Sequence, residues 1–192
     1  SATLIGETIN INSSLTANTT ASLQGTTVNL ANNITAAGGI SGTPSIVNVQ
    51  NTTAEIQDGI DVAGVNSSVN IAAGSYTGNA DATAGGKSVT LSTAGAAAVG
   101  QVTLSGNLVL DAGDTLQLQL SGLTPATQFD NFVVTGSTTL SGATLVPTIS
   151  FTAAVSDKLV IISNGVGAVT GTFSGLAEGS FVAINGQTFQ IT

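Results

Sequence analysis

Charged residues are scarce in this chain, and cations are almost absent. Lys and Arg together number 2, Asp and Glu number 10, and the formal net charge is -8 over 192 residues. A protein that binds nucleic acid needs a cluster of cations to neutralise phosphates and release counterions. The composition therefore excludes nucleic acid as a partner.

Cysteine, histidine, methionine and tryptophan are all missing. Without cysteine there is no disulfide framework and no thiolate metal site, and without histidine a Ser-His-Asp relay is impossible. Long apolar runs are missing too: mean hydropathy is +0.43, but no stretch approaches the roughly 20 consecutive apolar residues of a membrane-spanning helix. We therefore expect a chain that does not span a membrane, and we expect it not to be an enzyme.

Short apolar alternations, separated by clusters of Gly, Asn, Ser and Thr, are the main pattern that is present. Alternation with period two, bounded by turn residues, predicts β-strands with one buried face. We expect an all-β fold with strands around Ile9 and Ile11, Val28 and Leu30, Val69 and Ile71, Val89 and Leu91, Val102 and Leu104, Leu108 and Leu110, Leu116 to Leu120, Phe132 and Val134, Leu159 and Ile161, and Phe189 and Ile191.

The strands are too short and too closely spaced for βαβ units, which leaves stacked coils or a sandwich. Drifting spacing and small Gly- and Asn-rich corners favour the coils, because each corner needs residues that tolerate positive φ. The sequence therefore predicts a parallel β-helix (β-solenoid), with Asn and Thr ladders holding the register. We divide it into a β-rich segment at 1–50 and a β-solenoid with a C-terminal cap region at 51–192.

One short helix is predicted within this β pattern, at residues 53–63. Thr52 or Thr53 is a candidate N-cap, Ile56 and Ile60 share one face, and Gly64 is a candidate terminator. In a solenoid such a helix can cover an open apolar end of the coil stack.

The stretch IQDGIDVAGVNSSVNIAAGSYTGN, followed by GKSVTLS, spans Ile56 to Ser92. It resembles the entry into right-handed parallel β-helix domains of the pectate-lyase-like and adhesin type. There a short helix precedes a strand, a corner that corresponds to Gly74 and Tyr76, and a further strand that begins just after Lys87. The resemblance implies a right-handed coil.

A second resemblance covers about Gly106 to Thr192. Its motifs are FDNFVVTGSTTLSGATL, with the aromatic-Asp pair Phe129 and Asp130, the turn GTFSGLAEG at 171–179, and the hairpin NGQTFQI at 185–191. This region resembles the C-terminal passenger region of bacterial autotransporter-type surface proteins. The resemblance implies an extracellular or cell-surface location.

Paired carboxylates are the only candidates for chemistry. Asp111 with Asp114, or Asp58 with Asp61, have the spacing to bind calcium or to act on a glycosidic bond. Turn geometry and helix-end charge explain the same residues. We keep calcium at Asp111 and Asp114 as a weak candidate and expect no other cofactor.

Two further residues and five sequons complete the candidates. Tyr76 has an aromatic ring that can stack on a sugar or pack over its own coil, and Lys87 is interpreted as a solvated turn residue. The sequons are glycosylation acceptors if they lie in exposed turns: Asn12, Asn18, Asn33, Asn51 and Asn66.

The function that these patterns favour is structural. A solenoid has two apolar ends with unpaired backbone groups, so we expect the chain to associate with copies of itself into a fibre, sheath or matrix layer. The alternative is an adhesin fragment that binds glycans or a host surface, and a polysaccharide-active enzyme ranks below both. The predicted interior is Ile71, Val89, Leu91, Val102, Leu104, Leu108, Leu110, Leu118, Val134, Leu140, Leu159, Ile161, Phe173, Leu176, Phe181 and Ile191.

Overall fold

A computed structural model describes residues 1–93 and 98–192. Within these residues the fold is mostly β-strand, with one α-helix and a 3-10 turn at Ala84–Gly86. The elements are β1 (Ala2–Ile5), β2 (Thr8–Ile11), β3 (Leu15–Ala17), β4 (Ala21–Gln24), β5 (Thr27–Leu30), β6 (Ile34–Ala36), β7 (Ile40–Gly42), β8 (Ile46–Val49), α1 (Ile56–Val62), β9 (Ser67–Ile71), β10 (Gly74–Tyr76), β11 (Ala80–Asp81), β12 (Val89–Thr93), β13 (Gln101–Leu104), β14 (Leu108–Asp111), β15 (Thr115–Leu120), β16 (Asn131–Val134), β17 (Thr138–Ser141), β18 (Thr144–Ile149), β19 (Ile162–Asn164), β20 (Val169–Thr172), β21 (Phe181–Ile184) and β22 (Gln187–Gln190).

Parallel sheets organise all of these strands except the last two. The largest sheet has the order β18-β15-β12-β9-β8-β5-β2, and two four-stranded sheets have the orders β10-β13-β16-β19 and β11-β14-β17-β20. Near the N-terminus, β1-β4-β7 and β3-β6 form smaller sheets. The all-β prediction is confirmed, and so is the expectation of parallel pairing. Parallel neighbours cannot be joined by a tight hairpin, so a longer crossover connects each pair of them.

The register keeps like side chains beside one another. Partners in neighbouring strands lie 19 residues apart near the N-terminus, as Asn10 and Asn29 do. Near the C-terminus they lie 31 residues apart, as Thr139 and Thr170 do. The chain therefore returns to the same sheet once in each interval, and the interval grows along the sequence.

Side-chain alternation explains why these segments are strands. In β15, the sequence TLQLQL buries Leu116, Leu118 and Leu120 and leaves the Thr and Gln residues between them half-buried. Successive side chains of a strand point to opposite faces, so one face of each sheet supplies the apolar interior. The interior forms one continuous cluster from Ile9 to Phe173.

Helix α1 is confirmed, although its N-cap is not the one predicted. The N-cap is Glu55, with no capping hydrogen bond from its side chain, so the prediction of Thr52 or Thr53 is wrong. Ile56, Ile60 and Val62 are buried. The Gly64 N–H donates to the carbonyl oxygen of Pro44 at 3.0 Å, just after the helix ends.

Helix α1 does not lie at an end of the seven-stranded sheet. α1 packs against β7, β8, β9 and β11, which lie on both sides of it in the order of strands. The seven-stranded sheet continues past it, because β8 pairs directly with β9. The helix is thus an insertion between two paired strands of the seven-stranded sheet, β8 and β9. The same pairing crosses residue 50, so this sheet takes strands from both of the segments predicted as domains.

Two other predictions fail near the C-terminus. Leu159 and Ile161 lie outside any strand and are half-buried, and the strand begins at Ile162. Phe181 is exposed, because it lies in the antiparallel hairpin β21-β22 rather than in a parallel sheet. Asn185 and Gly186 turn this hairpin with φ of 48° and 76°, as the two central residues of a type I′ turn require. The hairpin predicted at 185–191 therefore exists, but it spans Phe181 to Gln190, and the predicted range covers only its turn and second strand.

The interior prediction is otherwise close. Ile71, Val89, Leu91, Val102, Leu104, Leu108, Leu110, Leu118, Val134, Leu140 and Phe173 are buried. Leu176 and Ile191 are half-buried. Among the described residues, no helix has both the length and the apolar character needed to cross a membrane.

Candidate functional site

Asp111 and Asp114, the candidates for calcium, lie at the end of β14 and just before β15. The two oxygens of Asp114 accept hydrogen bonds from the N–H groups of Val89 at 3.1 Å and Asp111 at 2.9 Å. Asp111 accepts from Gly113 at 2.8 Å. These bonds hold a turn against β12, and burial raises the pKa of Asp114.

Asp58 and Asp61, the second pair, lie on α1 and have separate partners. Oδ2 of Asp58 accepts from the N–H of Ile34 at 2.7 Å, which ties the helix to β6. Oδ1 of Asp61 accepts from Gln57 at 2.9 Å. Burial, with smaller contributions from the charges of Glu55 and Asp61, raises the pKa of Asp58 from 3.8 to about 6, and the Ile34 bond opposes this.

Asp130 is a third buried carboxylate with the same role. It accepts from the N–H groups of Gly100 at 2.7 Å and Gln119 at 2.6 Å. Burial raises its pKa, and these two hydrogen bonds oppose the rise. Each buried Asp thus accepts hydrogen bonds from backbone N–H groups, which satisfies buried donors. In residues 1–93 and 98–192, no three carboxylates come close enough together to hold a metal ion.

Tyr76 and Lys87 also stabilise the fold. The Tyr76 ring is buried and its hydroxyl donates to the carbonyl of Ala72 at 2.7 Å, and burial raises its pKa to about 12. The ring packs over its own corner, so it is not presented for stacking on a sugar. The interpretation of Lys87 as solvated is wrong. Its ammonium donates to the carbonyls of Ile60, at 3.3 Å, and Asp61 at the end of α1, where the helix dipole favours a cation.

The five sequons differ in accessibility. Asn12, Asn18, Asn51 and Asn66 are exposed, as a glycosylation acceptor must be. Asn33 is half-buried, its Nδ2 donates to Glu55 at 3.5 Å, and its Oδ1 is buried without a partner. The geometry therefore suits modification at four of these positions better than at Asn33.

A row of asparagines runs across the outer face of the seven-stranded sheet. Asn29 donates to Asn10 at 2.7 Å, Asn48 to Asn29 at 2.7 Å, and Asn70 to Asn48 at 2.8 Å. The hydroxyl of Ser92 then donates to Asn70 at 2.8 Å. The predicted Asn ladder is confirmed. We call these five residues the Asn row.

The strands β1, β2 and β3 form what we call the N-terminal edge. Within the described residues, each of them has a pairing partner on one side only. The Asn row ends here as well, and Nδ2 of Asn10 has no acceptor among residues 1–93 and 98–192. Leu4 and Leu15 are half-buried at this edge and Ile5 is 78% exposed.

Charge is nearly absent around the N-terminal edge. Glu7 is the only charged residue among the first 50, and the three edge strands contain neither a charge nor a proline. Natural sheets usually protect a free edge with lysine, proline, a bulge or a covering segment. Within the described residues, the strands of this edge contain neither lysine nor proline. The sequence analysis did not identify the edge as unprotected, because it considered charge only over the whole chain.

The opposite edges are partly covered. Beyond β18, Gln187 of the hairpin donates to the carbonyl of Phe151 at 2.8 Å and accepts from the N–H of Ala153 at 2.7 Å. Asn185 donates to the carbonyl of Ile149 at 3.3 Å. The two ends of the strand stack are therefore chemically different.

Comparisons with family models, with curated proteins and with solved structures find no match to this chain. The two resemblances therefore remain predictions that rest on the quoted motifs.

Proposed function

We propose that the chain is a right-handed parallel β-helix (β-solenoid) that acts as an extracellular structural element and associates with further copies of itself through its strand edges. Three features of the fold support the solenoid: β1 to β20 pair in parallel, every third strand returns to the same sheet on each side of α1, and one continuous apolar cluster lies within the stack. Right-handed crossovers are strongly preferred between parallel strands.

The observation that carries the assembly is the N-terminal edge, whose three strands carry no charge and, within the described residues, pair on one side only. Three neighbouring strands offer backbone donors and acceptors together, and pairing with strands of another copy satisfies them in one step. The Asn row offers a further donor at Asn10. Stability in stacked folds comes from contact between neighbouring repeats, so an added copy contributes the same kind of contact.

The surface chemistry supports the extracellular location. Ser, Thr, Asn and Gly supply most of the polarity, and four sequons are exposed. The resemblance to passenger regions of surface proteins points the same way. The three strands of the N-terminal edge carry no charged side chain, so this edge lacks the charges that usually keep strand edges apart.

A lysine placed on the N-terminal edge tests the proposal. Thr8 and Thr90 lie in the same outward row of the seven-stranded sheet, but Thr8 is on the edge strand and Thr90 is flanked by strands on both sides. We expect the unsubstituted protein to sediment as oligomers and to form filaments or layers in electron micrographs. The double variant Thr3→Lys, Thr8→Lys should be monomeric, and Thr90→Lys should assemble as the unsubstituted protein does.

Two results would overturn the proposal. One is a folded, unsubstituted protein that stays monomeric at high concentration in sedimentation equilibrium. The other is equal assembly of the edge variant and the unsubstituted protein, since the contact would then not involve β1 and β2. Circular dichroism of all variants shows that loss of assembly is not loss of folding.

A further inference from the structure

A groove lies on the outer face of the sheet β10-β13-β16-β19, away from the N-terminal edge. Its volume is about 320 Å³, at the lower end of the range for small-molecule sites. One wall comes from the loop between β15 and β16. We call it the Asn131 groove; it is lined by Gln101, Leu123, Pro125, Phe129, Asn131, Val133, Lys158, Val160 and Ser163.

Asn131 gives the groove an unsatisfied hydrogen-bonding group. The residue is 5% exposed, and its Oδ1 is buried without any hydrogen-bond partner. A buried acceptor without a partner costs about 1–3 kcal/mol, and such groups in native proteins call for an explanation. Asn131 lines the groove but its Oδ1 is not itself exposed there, so a ligand that donates to this oxygen must turn the amide about χ2. A ligand that donates a hydrogen bond would supply the missing partner.

The loop wall is held in place before any ligand arrives. Oε1 of Gln128 accepts from the N–H groups of Leu123 and Thr124, both at 3.1 Å. The carbonyl of Gln128 accepts from both the N–H and the hydroxyl of Ser121, at 2.6 and 2.7 Å. A wall fixed by its own hydrogen bonds loses little conformational entropy on binding.

The remaining lining selects the chemistry of the ligand. Gln101 and Ser163 are neutral donors and acceptors, and Lys158 adds a donor at the rim. Leu123 is 43% exposed and Val160 56% exposed, so the groove presents apolar surface beside its polar groups. This combination fits a small molecule that carries several hydroxyls on an apolar ring.

We propose that the Asn131 groove binds a neutral sugar unit of a glycan. A sugar hydroxyl donates to Oδ1 of Asn131, other hydroxyls accept from Lys158 and Gln101, and the C–H face of the ring lies on Leu123 and Val160. Polyanionic glycans fit less well because the protein carries a net charge of -8 and the groove has a single cation. This site is independent of the N-terminal edge, so it stands or falls apart from self-association.

Binding of defined trisaccharides tests the site. The probes are cellotriose, maltotriose and N,N′,N″-triacetylchitotriose as neutral sugars and trigalacturonate as the charged one, titrated by calorimetry and by chemical-shift changes of the Asn131 side-chain amide. We expect at least one neutral probe to bind. Asn131→Leu should weaken that binding by about tenfold or more, as loss of one buried hydrogen bond does, without lowering stability, since it removes an unsatisfied group.

Matched variants make the test specific. Lys158→Gln should weaken binding less than Asn131→Leu, and Thr139→Val, on the outer face of another sheet, should leave it unchanged. The proposal is overturned if no neutral probe binds at millimolar concentration, if trigalacturonate alone binds, or if folded Asn131→Leu binds as tightly as the unsubstituted protein.

Discussion

Asn70 donates a hydrogen bond from its Nδ2 to Oδ1 of Asn48 at 2.8 Å, although 22 residues separate them and helix α1 lies between them in sequence. The bond continues the Asn row across the junction of β8 and β9. The amides of Asn29, Asn48 and Asn70 each donate toward the N-terminus. The register of the large sheet is therefore kept through the helical insertion by side chains as well as by the backbone.

Replacing Asn48 with Leu should lower the free energy of unfolding by about 1–2 kcal/mol, because two hydrogen bonds of typical net value are lost. The substitution leaves Oδ1 of Asn29 and Nδ2 of Asn70 without their partners. Urea denaturation followed by circular dichroism measures the change. Asn10→Leu is the matched control, since Asn10 takes part in only one bond of the row. Equal losses of unfolding free energy for the two variants would contradict the expectation that the loss follows the number of row hydrogen bonds removed.

Gly42 lies where α1 comes closest to β7. A Cβ at this position would meet the carbonyl oxygen of Val62 and lie 2.7 Å from that of Leu23. Because both are backbone atoms, neither can move without shifting an element. We expect Gly42→Ala to cost about 1–3 kcal/mol, as overpacking does, measured by urea denaturation.

Gly6 provides the control for that variant. A Cβ on Gly6 would lie 3.6 Å from the carbonyl oxygen of Thr8, an ordinary contact. Gly6→Ala should be neutral or should stabilise by a few tenths of a kcal/mol to about 1 kcal/mol, through the unfolded chain. A loss for Gly6→Ala as large as that for Gly42→Ala would mean that the approach of the helix is not the cause.

The strands were predictable where a segment alternates on its own, as TLQLQL does from Thr115 to Leu120. Prediction failed where tertiary context decides. Phe181 was predicted to be interior because it lies in an apolar segment with the pattern of a strand. It does lie in a strand, but the strand belongs to an antiparallel hairpin and the side chain is exposed. Thr52 and Thr53 are good capping residues, but the helix begins only at Ile56, where its apolar face meets β7 and β8.

The candidate site was less predictable than the fold. The abundance of Asn predicted an Asn ladder, but the sequence analysis did not identify its members, Asn10, Asn29, Asn48 and Asn70. The groove depends on a loop that folds back over β16 and on Gln101, which is 30 positions from its strand partner Asn131. Neither relation leaves a local pattern in the sequence. The buried carboxylates were found, but the backbone donors they serve come from distant strands.

Burial of Asp58 predicts that acid stabilises the fold. Its pKa is about 6 in the folded state against an ordinary value of 3.8, so the folded state takes up a proton before the unfolded chain does. Stability should therefore rise as pH falls from 7 through 6, and most of the gain should be reached by pH 4, close to the unfolded pKa. Its size is on the order of 2 kcal/mol. The raised pKa values of Asp114 and Asp130 act in the same direction.

Thermal unfolding between pH 4 and 7 measures this dependence. Asp58→Asn keeps an oxygen for the N–H of Ile34 and removes the titration, so the variant should be more stable than the unsubstituted protein at pH 7 and should depend less on pH. Glu7→Gln removes one exposed charge and controls for the change in net charge. If Asp58→Asn destabilises the fold at pH 7, the charged form of Asp58 is favoured there and the expected sign is wrong.

Adjacent residues of β13 test which face of the sheet supports the fold. Leu104 is fully buried and pairs with Val134, whereas Thr103 faces outward in the same strand and is half-buried. Leu104→Asp places a carboxylate in the apolar interior without a cation nearby and also removes a packed side chain. A buried and unpaired charge costs several kcal/mol, a large share of the roughly 5–15 kcal/mol that stabilises a domain.

We therefore expect Leu104→Asp to be unfolded by circular dichroism at neutral pH and Thr103→Asp to remain folded, with a loss below about 1 kcal/mol because its carboxylate stays in contact with water. The two variants carry the same charge change one residue apart, so net charge and local strand propensity cannot explain a difference between them. A folded Leu104→Asp, or similar losses for both variants, would show that this side of β13 is not in the interior and would contradict the parallel stacking on which the proposed architecture depends.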